Sequence, residues 1–97
     1  MNEQQQIESK LRELLPELTS RFNIEKLGYF GSLANGNFSD KSDIDILVHF
    51  NKPIGWEFFD LQELLENCLK RKVDLISDKG LRTQLRENIL NQVKYIR

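Results

Sequence analysis

The chain is short of several things that proteins use to do chemistry or to hold themselves together. It has one cysteine, Cys68, so an internal disulfide and a cysteine-based zinc site are both excluded. It has one histidine, His49, which leaves no histidine cluster for a metal. No apolar run approaches the ~20 residues of a membrane span, and the polar, acidic first ten residues are unlike a signal peptide. A cytoplasmic location is the expectation. Neither sign of charge dominates: the net charge is −1, which argues against holding nucleic acid or a membrane by a broad basic field. The basic triplet Lys70-Arg71-Lys72 reads as a solvated helix C-terminus favoured by the dipole.

What is present is an ordinary globular composition, 39% hydrophobic and 30% charged over 97 residues, enough for a single domain spanning the whole chain, 1–97. Ile7, Leu11, Leu14, Leu15, Leu18 and Phe22 recur at helical spacing and predict a helix over 4–21, with a kink or break near Leu15 because Pro16 lacks a backbone donor. Residues 24–30 read as a strand, and 32–36 as a helical turn with Ser32 as its cap. A polar loop over 37–42 leads into the clearest strand, 43–50. A helix is expected over 55–71, with Trp56, Phe59, Leu64, Leu65, Cys68 and Leu69 on its buried face and Phe58 off it. Phe58 is then the better interface candidate, and Cys68 a small core residue. A third strand over 72–77 and a last amphipathic helix over 80–97 complete an α/β (α+β) fold, a small mixed three-stranded sheet covered by helices.

The chemistry lies between the first two strands. Asp43 and Asp45 are two apart on a strand and so project from one face, with Ile44 and Ile46 turned the other way. Two carboxylates this close repel unless a cation sits between them, and magnesium, which takes carboxylate and phosphate oxygens, suits that place. Asp74, between Val73 and Leu75 on the third predicted strand, is a third acidic group for the same edge of the sheet. Three carboxylates can hold two metals for an in-line displacement. Upstream, Gly31 lets the backbone approach phosphate, and Ser32 adds a hydroxyl where helix amides begin. An isolated Asp-x-Asp is common in a chain this charged, and each piece alone has an ordinary structural reading. Together and in this order they describe a nucleotide and metal site. His49 follows at an outward-alternating position and reads as a surface residue rather than a ligand. Nothing in the spacing brings Tyr95 to the carboxylates.

Gly31-Ser32, then Asp43-Ile44-Asp45, then Asp74 resemble the signature of the DNA polymerase β-like nucleotidyltransferase superfamily. The wider string Gly-Ser-x-Ala-x-Gly followed by Ser42-Asp43-Ile44-Asp45 resembles its minimal nucleotidyltransferase branch over essentially the whole chain. The resemblance implies ATP as donor, held at Gly31, Ser32 and Ser42, and Mg2+, two ions, on Asp43, Asp45 and Asp74. It also implies a partner, a HEPN-domain ribonuclease toxin that the nucleotidyltransferase neutralises as antitoxin by moving AMP onto one of its tyrosines, with Asp74 acting on the tyrosine hydroxyl. Asn35 departs from the pattern, since many relatives carry arginine there. An antitoxin acting by binding alone is the second reading, and a small-molecule or RNA acceptor a third that the small size disfavours.

Overall fold

The computed structural model describes residues 2–97. Helix α1 (Glu3–Phe22) opens on a capping box: the Gln5 amide donates to Asn2 Oδ1 at 2.8 Å and the Asn2 amide to Gln5 Oε1 at 3.2 Å. It ends at Asn23 in the left-handed conformation, φ 55°. The expected break at Pro16 does not occur, and the helix runs through it. Pro16 is on the exposed side, so the carbonyl that loses its donor there can turn to water instead.

Four strands follow: β1 (Ile24–Phe30), β2 (Ile44–Phe50), β3 (Val73–Ser77) and β4 (Lys94–Tyr95), in the sheet order β3-β2-β1-β4. β1 pairs antiparallel with β2 and with β4, whereas β2 and β3 are parallel. That parallel pair requires a crossover, which α3 (Glu57–Leu69) supplies. Ile44, Ile46, Val48 and Phe50 alternate onto the face that joins the main core with Ile7, Leu11 and Leu18 of α1 and Leu61 and Leu65 of α3. The intervening residues of β2, namely Asp45, Leu47 and His49, face the other way, and that second face carries the candidate site.

The sheet therefore has four strands where three were expected. Helix α4 covers Thr83–Gln92 rather than 80–97, and the chain then adds β4 beside β1. Gly28 makes the addition possible: a Cβ there would stand 2.8 Å from Lys94 O and from Val93 Cγ2. The backbone contact continues as the Ile96 amide donates to Leu27 O at 2.9 Å. α4 has no buried residue, and Leu85 stays 55% exposed.

The aromatic expectation for α3 is reversed. Trp56 is 83% and Phe59 58% exposed, stacked on each other with ring centroids 5.9 Å apart, while Phe58 packs against the core beside Phe50. Helix α3 starts at Glu57, and its inward stripe runs through Phe58, Leu61 and Leu65, a phase different from the one inferred from hydrophobicity alone. Cys68 is half-buried, lining a groove between α1 and α3 with Ile7 and Leu69 rather than sitting in the core. No helix among the described residues is long and apolar enough to cross a membrane.

Candidate active site

The register of the parallel pair sets Asp45 directly beside Asp74. Neighbouring strands lie about 4.8 Å apart, so the two carboxylates share one edge of the open face. Asp43, just before β2 begins, precedes Asp45 by two residues and lies on the same side. Asp43 and Asp74 are exposed and Asp45 is half-buried. Burial, and then the negative charges of Asp74 and Asp43, raise the Asp45 carboxyl above its ordinary range. None of the three carboxylates is ion-paired with a lysine, arginine or histidine among the described residues.

Gly31 closes the arrangement. It stands at the end of β1 with φ 68° and ψ −143°, a conformation that L side chains rarely adopt, and a Cβ built on it would collide with Asp45 Oδ2. The turn and the acidic strand are thus in contact, a link that spacing in the sequence does not reveal. Gly31, rather than Ser32, is the N-cap of the single-turn helix α2 (Ser32–Asn35), and its carbonyl accepts from the amides of Ala34 and Asn35, both at 3.0 Å. A turn this short has little macrodipole. What it offers an anion is the amides at its start, which lack an intrahelical acceptor, and the Ser32 hydroxyl, which has no protein partner among the described residues. Gly36 ends the turn at φ 88°.

Ser42 has a different local role. Its hydroxyl accepts from the Ser39 amide at 3.0 Å and lies 3.3 Å from the Ser39 hydroxyl, closing the loop before Asp43. Asn35 is exposed and its Oδ1 accepts from the Asn37 amide at 3.0 Å. His49 is not a free surface residue: its Nδ1 lies 2.8 Å from Asp78 Oδ2 and its Nε2 3.2 Å from Glu25 Oε2. Sequence reasoning missed Arg71 altogether. It is only 17% exposed and reaches the loop that leads to Asp43, which no periodicity or motif signals.

The donor chemistry fits a hard divalent cation, since carboxylate oxygens are what Mg2+ takes. Among the described residues no set of three or more His, Cys, Asp or Glu side chains forms a ready-made cage for an ion. Mg2+ does not need one, because one or two carboxylates together with substrate phosphates and water complete its octahedron.

Residues 9–97 match the family described as Polymerase beta, Nucleotidyltransferase. The chain belongs to that family of nucleotidyltransferases. Within it, the chain is 37% identical over 93 residues to the protein adenylyltransferase MntA of Thermococcus cleftensis, covering 95% of this chain and 94% of that protein. A solved structure assigned to a minimal nucleotidyltransferase superposes with TM-score 0.83 at 30% identity, covering 96% of this chain and 95% of the other. A complex of a tri-AMPylated HEPN toxin from Shewanella oneidensis with its MNT antitoxin contains a chain that matches with TM-score 0.69 at 26% identity, over 95% of this chain and 70% of that one.

Proposed function

We propose that this protein is a metal-dependent adenylyltransferase that moves AMP from ATP onto a tyrosine of a partner HEPN-domain toxin and so acts as its antitoxin, in the cytoplasm where ATP is available. The observation that carries the reading is the trio Asp43, Asp45 and Asp74, uncompensated by any basic side chain and in contact with the Gly31 turn. The adenylyltransferase relative and the AMPylated toxin in complex with an antitoxin neighbour support the acceptor class. A structural neighbour solved as a toxin–antitoxin with AMP-PNP, TM-score 0.75 at 27% identity, supports the nucleotide.

In this mechanism the backbone at Gly31 and the Ser32 hydroxyl bind the triphosphate, with Ser42 keeping the neighbouring loop closed. Asp43, Asp45 and Asp74 would hold two Mg2+ ions, which supply positive charge against the phosphates and the departing pyrophosphate. Asp74, the more exposed member of the Asp45–Asp74 pair, takes the proton of the tyrosine hydroxyl. The phenolic oxygen then bonds to the α-phosphorus as the bond to pyrophosphate breaks. The chain's contribution is orientation and charge, since phosphoryl-type transfer asks for little else.

The test is transfer from α-labelled ATP to the co-purified partner. Label should appear on the partner with Mg2+ and fall by on the order of 10³-fold in Asp43→Ala, the equivalent of about 4 kcal/mol of transition-state stabilisation. Undiminished labelling by that variant would defeat the reading. A second reading, neutralisation by binding alone, rests on Asn35, whose carboxamide is engaged in its own loop and brings no cation to the site. It requires the Asp43→Ala, Asp45→Ala double variant to neutralise the toxin without nucleotide.

A further inference from the structure

Arg71 follows Lys70, the residue that ends α3 in the left-handed conformation at φ 57°. The turn directs its side chain away from solvent and under the loop that joins α2 to β2. Nη2 donates to the carbonyls of Ser39 at 2.6 Å and Ser42 at 2.7 Å. Nη1 donates to Glu3 Oε1 at 2.6 Å, and the guanidinium lies 4.4 Å from the centre of the Phe38 ring. One planar cation therefore meets two loop carbonyls, an α1 carboxylate and an aromatic face, a set of contacts that a lysine cannot reproduce.

The position of these contacts matters more than their number. Ser42 immediately precedes Asp43, and its carbonyl is tied to Arg71. Ile44 immediately follows Asp43, and its amide donates to the carbonyl of Lys72 at 3.0 Å. Asp43 is thus fastened on both sides to consecutive residues of one segment. Two residues further along that segment comes Asp74, in register with Asp45. Charged groups that repel one another, as these carboxylates do, hold their spacing only if the backbone beneath them is fixed.

We propose that Arg71 is a positioning residue for the acidic centre: it sets the loop carrying Asp43 against β3, and with it the affinity of the three carboxylates for metal-bound nucleotide. The inference rests on the proposed role of those carboxylates, and it makes a claim on the metal-free protein that is independent of transfer. Supporting groups of this kind change metal affinity or activity by about 10–100-fold when replaced.

The experiment compares wild type with Arg71→Lys, Arg71→Ala and Phe38→Leu, all at a temperature where circular dichroism shows each variant folded. In metal-free protein, the Ser42 and Ile44 amides should exchange with solvent faster in Arg71→Lys, while core amides of β2 such as Val48 keep their protection. Calorimetry with Mn2+ and AMP-PNP should show affinity falling on the order of 10–100-fold in Arg71→Lys, and less in Phe38→Leu. If Arg71→Ala fails to fold, Arg71→Lys carries the test. Unchanged exchange at Ser42 and Ile44, or unchanged affinity in folded Arg71→Lys, overturns the proposal and reduces Arg71 to an ordinary surface clamp. Failure of the wild type to transfer AMP would defeat the proposed function, while exchange and metal–nucleotide affinity would still decide the role of Arg71.

Discussion

The two ends of strand β2 carry the same kind of charge and treat it in opposite ways. At the far end His49 stands between two carboxylates, with Asp78 on one ring nitrogen and Glu25 on the other. At the near end Asp43, Asp45 and Asp74 share an edge of the same face with no basic side chain among them, and Asp45 is harder to ionise as a result. The first cluster is internally balanced and fastens the turn after β3 to the sheet. The second is unbalanced, which costs stability and leaves a place for a cation brought with substrate. Acidic residues on a strand are therefore not a site by virtue of their number. What distinguishes the near end is the absence of a protein counter-charge together with the glycine turn pressed against it.

That contrast can be broken most severely at Gly31. Gly31→Ala combines a left-handed φ of 68° with a collision against Asp45 Oδ2. It should cost about 1–3 kcal/mol in urea unfolding and weaken nucleotide binding as well. A variant with unchanged stability and binding would show that the turn and the carboxylate do not share space in solution.

The balanced end should answer differently. His49→Ala removes the ring that both carboxylates meet and should cost roughly 1 kcal/mol in thermal or urea unfolding. AMP transfer and metal–nucleotide affinity should remain near wild type once the protein is folded, because the cluster lies at the other end of β2. A loss of transfer comparable to that of Asp43→Ala would erase the distinction between the two ends.

The smallest effect is also the most diagnostic of imbalance. With the Asp45 carboxyl raised above its ordinary 3.8 by burial and then by Asp74 and Asp43, the folded state holds that proton more tightly than the unfolded chain does. The stability associated with the proton is complete below 3.8 and is lost as pH rises through the raised value. Asp45→Asn should therefore raise Tm at neutral pH in chelator, and the gain should vanish below the ordinary carboxylate range. A variant less stable than wild type at neutral pH would mean that the carboxylates are already neutralised within the protein.

Much of this was legible in the chain. The alternation Asp43-Ile44-Asp45-Ile46 dictates which side chains share a face, because a strand has only two. Gly31-Ser32 ahead of it, and Asp74 beyond it, carried enough local pattern to indicate both the site and the family. The aromatic residues at the start of α3 were misjudged because Trp56, Phe58 and Phe59 are all hydrophobic, and hydrophobicity alone could not assign the helical phase. Val93-Lys94-Tyr95 had the composition of a helix tail and became an edge strand because Gly28, far away in sequence, leaves room for a backbone. Arg71 looked like one cation in a solvated triplet, since the carbonyls that receive it belong to a loop about 30 residues earlier.

By itself, the sequence determined the local conformations, the pairing of Asp43 with Asp45 on one face, and the family. Those follow from periods of two and 3.6 residues and from a glycine's freedom, which act over a few bonds. Only the tertiary structure decided that Asp74 stands beside Asp45, that Gly31 touches that same carboxylate, that His49 is balanced while Asp45 is not, and that Arg71 secures the loop before Asp43. These depend on strand register and on contacts between distant segments, where charge and packing act through space rather than along the chain.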